Sequence, residues 1–445
     1  MLARSRTSLY ALILAAVVLF ALPGTGQARH APRSRKAPVK QAVAGPLGGI
    51  NLSGPNGSAT PGQANREVAE ALSLHAKVIR IELPWAALQP NGPGSLDNGA
   101  LAYADQLIDA AAAHHLAVIA LVDVTPCWAS SAPANLLAEC RSDGSSAANS
   151  WPPARPSDFG AMVGQLATRY GTKLTAIEVW NEPDQANEKY FAGPNKPQRY
   201  AEVLRAGYTA IKQVDPRIKV LAGSLVGSDG AFLRRLYAAG IKGYYDGLAV
   251  HFYTLTLAGL REFRAVQVAN GDRSPLWLDE FGWPSCYPGK QVQEEIPCVT
   301  PAVQAQNITN LYRALSRTSY VATDTLYKLR DSSDSDAGLL TQSGARKPAY
   351  GALASVLLSP LRAPAKVTLA LRSVGGAVVA SGSGPVGDYM RLEASRDALR
   401  YRAKFTLDRS NRYSLSLPAA LGTHGVHVRV FQEWMGSRSA AQRSI

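Results

Sequence analysis

From Gly45 onward the chain alternates two patterns. Short apolar runs bounded by Gly, Pro, Asn or Asp give way to longer stretches in which apolar positions recur every three or four residues. The runs near 46–53, 77–83, 116–123, 174–182, 219–226, 246–253, 275–281 and 324–330 predict eight β-strands. Between them Gly62–Leu74, Leu101–His115, Pro156–Tyr170, Pro197–Val214, Ala231–Ala239, Pro301–Arg317 and Lys347–Leu358 predict helices. Strand and helix in strict alternation predict a parallel sheet with crossover helices, and eight such units in about 315 residues suit a (β/α)8 TIM barrel with long loops. An open doubly wound sheet is the alternative, but no glycine-rich phosphate loop follows the first strand.

Past Leu358 the period shortens. After a proline-containing linker, alternating segments at 366–371, 376–381, 389–394, 399–407, 413–417 and 426–434 are separated by Gly, Ser and Asn turns. They predict a small C-terminal β-sandwich over 361–435, with 436–445 expected to fray. At the other end Arg4 and Arg6 precede an apolar run from Leu9 to Leu22 and a small-residue site ending at Ala28. Residues 1–28 read as a secretory signal peptide, and an uncleaved anchor is disfavoured because the run falls short of the roughly 20 residues a span needs. Residues 29–44 are basic, contain proline and lack apolar periodicity, which predicts a disordered tether before a barrel over 45–358.

Composition alters this picture in two places. The formal charge of +14 is concentrated at the ends: residues 1–42 hold seven basic side chains and no acid, residues 361–445 thirteen basic against five acidic, and 43–360 twenty-seven against twenty-eight. A neutral barrel suits an uncharged substrate and argues against nucleic acid, while the basic ends suggest adhesion to an anionic cell-envelope surface or simple solubilisation. The four cysteines form two local pairs, Cys127 with Cys140 and Cys286 with Cys298. In an exported protein each would close one loop by a disulfide, on the face where barrels keep their chemistry; neither pair has the spacing of a zinc or redox motif.

Candidate chemistry lies at two predicted strand ends. Thr175–Pro183 runs from an apolar strand into Trp180-Asn181-Glu182-Pro183, and Pro275–Pro284 places Glu280 near its end before Trp283-Pro284. Period-2 alternation through the first would put Glu178, Trp180 and Glu182 on one face. Two carboxyl groups at the ends of two parallel strands are the equipment of glycoside hydrolysis with retention, in which one donates a proton and the other attacks the anomeric carbon. A nearby cation should keep the nucleophile ionised. Arg80 on the second strand has the right parity, with contact to Glu280 or an internal ion pair with Glu82 or Glu178 as its two readings. His251 and Tyr253 share a face at the end of the sixth strand and suit a sugar or the nucleophile. Trp85, Trp128, Trp151, Trp180, Tyr253 and Trp283, all near strand ends, are candidate platforms for sugar rings. Asp331, Asp334 and Asp336 lack the spacing of a calcium loop, His114-His115 reads as a helix C-cap rather than a metal pair, and no serine elbow is present, so neither metal nor cofactor is expected.

These residues carry a resemblance. Trp180-Asn181-Glu182-Pro183-Asp184, Arg80, His251-Phe252-Tyr253 and Asp279-Glu280-Phe281-Gly282 resemble the glycoside hydrolases of clan A, most of all family 39, with family 5 as neighbour. Leu326-Tyr327, Arg330-Asp331 and Lys347–Tyr350 are similar to the way such barrels close. The resemblance covers roughly 45–358, and implies that Glu182 is the acid/base, that Asn181 contacts the sugar 2-hydroxyl and that Glu280 is the nucleophile. One departure falls at the end of strand eight, where many members carry Trp and this chain has Tyr327-Lys328 at the expected floor of the donor subsite. The expectation is a secreted or envelope-associated, monomeric, retaining enzyme, acting internally on an oligo- or polysaccharide. The competing classes are a non-hydrolytic glycan-binding barrel and a transglycosylase.

Overall fold

The computed structural model describes residues 46–52, 61–94, 96–140, 146–227, 229–253, 258–285, 298–315, 318–333, 335–359, 367–384, 390–405, 412–432 and 441–445. The expected signal peptide and tether, Cys286, Asp334 and the linker at 360–366 lie outside them. Eight strands close into a parallel barrel: β1 Leu47–Asn51, β2 Val78–Glu82, β3 Ala117–Val122, β4 Ala176–Val179, β5 Lys219–Leu225, β6 Gly247–Phe252, β7 Leu276–Phe281 and β8 Val321–Leu326, with β8 pairing back onto β1. The helices are α1 Pro61–Ser73, α2 Trp85–Leu88, α3 Asn98–Ala113, α4 Ala134–Leu137, α5 Pro156–Tyr170, α6 Lys196–Val214, α7 Ala231–Ala238, α8 Ala258–Ala269, α9 Pro301–Leu315 and α10 Pro348–Leu358. Helix α8, which fills the β6–β7 crossover, is one the sequence reading left unnamed; its apolar side is Leu260, Phe263 and Val266.

Side chains alternate across each strand, so every strand sends one set outward to the helices and one into the barrel. The outward set joins the helices in one large core running from Ile50 to Leu353. The inward set makes a small apolar plug of Val78, Ile119, Ala176, Leu221, Ala249 and Trp277. Two residues further along the same strands stand Arg80, Glu178, His251 and Asp279, so the interior turns from apolar to ionic toward the carboxyl ends of the strands. Two register shifts matter here. Between β6 and β7 the pairing passes from Val250↔Leu278 to His251↔Glu280, an irregularity that lets the consecutive Asp279 and Glu280 both reach the mouth. Between β5 and β6 a shift from Ala222 to Leu225 accompanies Gly223 at φ 45° and directs Ser224 inward.

Three expectations are corrected. β8 begins three residues earlier than 324–330, because Thr323, Asp324 and Thr325 disguise a strand that is nevertheless buried. β4 stops at Val179 instead of running to 182, since Trp180 and Glu182 adopt φ of 74° and 41°. The C-terminal residues do not all fray: Ala441–Ser444 form a strand whose neighbour Ile445 exchanges two backbone hydrogen bonds with Val426.

That strand, β15, completes the C-terminal unit. β9 Ala370–Val374, β10 Ala377–Ser383 and β13 Arg412–Ser416 form one antiparallel sheet, and β11 Met390–Arg396, β12 Leu399–Phe405, β14 His427–Gln432 and β15 form the other. Between them Val378, Ala380, Met390, Leu392, Tyr413, Val428 and Val430 make a second core, as a sandwich requires. No helix among the described residues is long and apolar enough to cross a membrane.

Candidate active site

The carboxyl ends of the strands gather the predicted polar residues around one arginine. Arg80 donates from Nε and Nη2 to the two oxygens of Glu178 at 2.7 and 2.9 Å, and from Nη1 to Glu280 Oε1 at 2.7 Å. Both readings of Arg80 therefore hold at once, with Glu178 and not Glu82 as the internal partner. Asn51 Oδ1 at 3.0 Å, Asn181 Oδ1 at 3.3 Å and Ser224 Oγ at 3.3 Å take up the rest of the fork. A guanidinium so enclosed stays charged: burial pulls its pKa down, but Glu178, Asp279 and Glu280 raise it well above normal. The arrangement fixes the plane of the fork, and through it the carboxylate of Glu280.

Glu280 is 8% exposed. Its other oxygen, Oε2, accepts from the Tyr253 hydroxyl at 2.6 Å and lies 3.5 Å from His251 Nδ1. Burial alone would raise its pKa; the charges of His251 and Arg80 and the hydrogen bonds of Tyr253 and Arg80 outweigh burial and hold it below the ordinary carboxylate range. Tyr253 in turn meets Tyr327 edge to face at 6.4 Å. Gly282 lets the backbone after β8 pass close to the end of β7, since a Cβ there would fall 2.4 Å from the Tyr327 carbonyl oxygen.

Glu182 reaches the same mouth by a different route. The chain leaves the ladder at Val179, and the left-handed turn at Trp180 swings the indole outward between Phe159 of α5 and Phe191, where Nε1 donates to the Tyr190 carbonyl at 2.7 Å. Non-glycine residues in this region hold roughly 1–3 kcal/mol of strain each, which the buried ring and the paired indole offset. Glu182 then turns back to lie with Oε1 2.6 Å from His251 Nδ1, while its other oxygen accepts from Gln185 Nε2. Burial lowers the pKa of His251, but Glu280, Glu182 and Asp279 raise it to about 9, so the imidazole is a cation between two carboxyl groups. One oxygen of Glu182, one of Glu280 and a ring nitrogen of His251 lie within 4.8 Å of one another. Three such donors are also the set a metal ion would need.

Other predicted residues part company with the site. Trp85 and Trp180 are 0% exposed and Trp283 is 2% exposed, so the three are corrected from sugar platforms to core. Trp85 packs edge-on against Trp128 and Phe159, and Trp283 against Phe281. Trp128 is half-buried and anchored by Nε1 to the Gln89 carbonyl at 2.7 Å; Trp151, Tyr253 and Tyr327 are also half-buried. Cys127 and Cys140 form a disulfide within the loop after β3, and Cys298 is disulfide-bonded. Asp331 is occupied by Lys347 Nζ at 2.7 Å and by the Gly338 amide, a buried ion pair that braces the barrel's end.

Of four further residues at the mouth, Glu82 was expected only as an ion-pair partner of Arg80, and Asn51, Gln185 and Tyr190 were not expected there. Asn51 donates to the Asp279 carbonyl at 2.9 Å, Gln185 holds Glu182, Tyr190 lies within electrostatic reach of Glu182, Glu280, Glu82 and Asp123, and Glu82 borders the cleft. Gln185 was readable, three positions after Glu182. Glu82 was readable from its parity with Arg80 on β2, whereas Asn51 and Tyr190 depend on sheet closure and a loop path that carry no local signal.

The fold has solved relatives. A family 39 glycoside hydrolase from the gut symbiont Bacteroides cellulosilyticus WH2 matches with a TM-score of 0.52 and 18% identity, over 84% of this chain and 81% of its own. A family 39 β-xylosidase from Caulobacter crescentus matches at 0.55 and 18%, over 80% and 84%. A monomeric β-xylosidase from the same organism matches at 0.54 and 15%, over 88% and 97%. No protein-family model and no curated protein matches the sequence. The chain thus shares its fold with glycoside hydrolases of family 39.

Proposed function

We propose that the protein is a retaining β-glycoside hydrolase in which Glu280 is the nucleophile and Glu182 the acid/base. The observation that carries this reading is the asymmetry of the pair: the two lie within 4.8 Å of each other, but Arg80 and Tyr253 donate to Glu280 and hold it ionised, while Glu182 lies outside the Arg80 fork. The spacing is close to the roughly 5–5.5 Å of retaining enzymes and too short to seat a water as inverting enzymes do. In the first step Glu280 attacks the anomeric carbon and Glu182 delivers a proton to the leaving oxygen. In the second Glu182, with its proton gone, takes one from water as that water displaces Glu280 from the sugar. Asn181, hydrogen-bonded to Arg80, is placed to meet the sugar's 2-hydroxyl, and Tyr253 and Tyr327 are the aromatic walls.

The same reading makes the protein a secreted or envelope-associated monomer that cleaves an oligo- or polysaccharide internally. Its support is the leader-like sequence of residues 1–28 and the long, cysteine-bearing loops after β3 and β7, which would flank a groove without capping it. Single substitutions test the mechanism. Glu280→Ala is expected to lose at least about a thousandfold in kcat on an aryl β-glycoside and to recover in part with azide, giving the α-glycosyl azide; Glu182→Ala is expected to lose about 10²–10⁴-fold on poor leaving groups and little on good ones. Wild-type turnover by Glu280→Ala would overturn the assignment.

A further inference from the structure

The near-neutral balance of the barrel conceals a local excess of acid at its mouth. Six carboxyl groups, those of Glu82, Asp123, Glu178, Glu182, Asp279 and Glu280, face two basic side chains, Arg80 and His251. Four of the six have a cationic neighbour: Glu178, Glu280 and Asp279 lie at 2.7, 2.7 and 3.5 Å from Arg80, and Glu182 at 2.6 Å from His251. Among the described residues Glu82 and Asp123 are in no direct salt bridge with a basic side chain, and the charge of Arg80 reaches them only at longer range. They stand on adjacent strand ends, Glu82 as the last residue of β2 and Asp123 just past β3, tied by the Leu83 amide to the Leu121 carbonyl and the Trp85 amide to the Asp123 carbonyl.

Glu82 is exposed to solvent although protein crowds it on every side, which is the situation of a side chain inside a deep cleft. Asp123 is 2% exposed, its carboxyl lies against that of Glu82, and its Oδ1 has no hydrogen-bond partner; beside it Thr125 is fully buried with its hydroxyl also unpartnered. Across the mouth the Tyr190 phenol faces the same two acids and the two glutamates of the active site. Two carboxyl groups in contact at a cleft wall repel when ionised. Burial pushes both pKa values up; Glu82 raises that of Asp123 further, while the hydrogen bond between the two carboxyl groups lowers that of Glu82, so the pair relieves its repulsion by holding a proton on Asp123. A buried acceptor left unpaired beside an open carboxylate is completed by a ligand that brings both N–H donors and positive charge.

We infer that Glu82 and Asp123 form a subsite for a substrate sugar that carries a free amino group, whose ammonium sits between the two carboxylates. A neutral sugar hydroxyl offers one donor and no charge; an ammonium offers three donors and a positive charge that takes the place of the shared proton. N-acetylation would remove the charge and add bulk. The inference rests on the mouth being a glycoside-binding site, and extends that reading to the class of sugar.

The test is calorimetric titration of the full chain with methyl β-glycosides of glucosamine, galactosamine and mannosamine, whose poor leaving group keeps turnover slow, against their N-acetyl and 2-hydroxy counterparts. At least one free-amine glycoside should bind about tenfold or more tighter than both of its counterparts, with protons released on binding. Glu82→Gln should abolish the preference while leaving the melting temperature in place, because that side chain is open to solvent; Asp123→Asn, if it folds, should do the same. Equal binding of amine and neutral sugars, no binding by any of them, a preference that survives Glu82→Gln, or occupation of the pair by calcium titrated alone would each overturn the inference. A preference without turnover of any glycoside would sink the hydrolase reading and leave the amine subsite standing, and turnover without the preference would do the reverse.

Discussion

Asp324 shows how much of this molecule turns on single buried groups. It sits on β8 with no exposed surface, faces Tyr312 of α9, and has no basic neighbour among the described residues. Burial pushes its pKa up to about 8 against a weaker downward pull from the Tyr312 hydroxyl. The folded chain therefore holds a proton that the unfolded chain, titrating near pH 4, has released. Stability is expected to fall as pH rises from about 4 through about 8, because the unfolded state binds fewer protons over that window. Asp324→Asn should be close to neutral near pH 4 and should raise the melting temperature progressively above it, most at about pH 9; melts of both proteins across that range are the check. A gain that is the same at every pH would show that packing, and not the proton, is what the substitution changes.

The same scale explains which site residues could be read in advance. Glu182 and Glu280 announce themselves because a glutamate at a strand end followed by proline is short-range information. Arg80 could be named but not assigned, since the choice between Glu178 and Glu280 depends on the barrel radius, and the fork in fact spans both. Trp180 misled because alternation assumes an extended backbone, and the residue lies at φ 74°.

At the scale of the element, the loop after β3 carries the clearest consequence. Among the described residues of 125–155 the regular structure is the single turn of α4 and a short 3-10 turn at Ala147–Ser150, and the Cys127–Cys140 bridge joins residues 13 apart in sequence, with a Cα separation of 6.3 Å. Chain entropy puts the stabilisation from a bridge of this size at about 3 kcal/mol. Replacing both cysteines by serine should lower stability to chemical denaturant by about that amount and raise KM more than it lowers kcat, since Trp128 beside Cys127 loses its anchorage while Glu280 stands on β7 and Glu182 just past the end of β4. Unchanged unfolding with and without the bridge would mean that the loop is held by its own hydrogen bonds, such as Ser130 Oγ to the Ala148 carbonyl at 2.7 Å. Elements with strong apolar periods were legible from sequence, α5 to the residue. β8 and β15 were not, because polar side chains on one and a short, polar composition on the other hide pairing that only the neighbouring strand supplies.

For the whole molecule, charge and core are distributed differently. The described residues hold separate cores, one around the barrel and one between the sheets of the sandwich, and the barrel segment 43–360 is close to neutral while the segments on either side are strongly basic. If those basic segments serve adhesion, binding of the full chain to anionic cell-wall polymer or anionic vesicles should weaken steeply between about 50 and 300 mM salt, while hydrolysis of a small neutral glycoside changes little. Parallel loss of both would place the charge effect in the catalytic cleft instead. The barrel was legible at this scale because eight repeats average out local errors, whereas the pairing order of the seven sandwich strands was not, since antiparallel strands of similar length can be ordered in many ways.

The contacts of Glu280 also bear on how long the enzyme would remain attached to its substrate. Arg80, Tyr253 and the imidazolium of His251 are aimed at a negative charge that disappears when the carboxylate bonds to sugar and returns when that bond breaks. On the proposed retaining mechanism they would restrain the attack and favour the departure, so a sugar bonded to Glu280 would have a good leaving group beneath it and a short lifetime. Removing one donor should lengthen that lifetime. With Tyr253→Phe, a dinitrophenyl glycoside should release a rapid burst of phenol, equal to the enzyme present, before a slower steady rate, where the unaltered protein shows none; stopped-flow absorbance reads it directly, and a variant with slower turnover and no burst would place the role of Tyr253 in the first step.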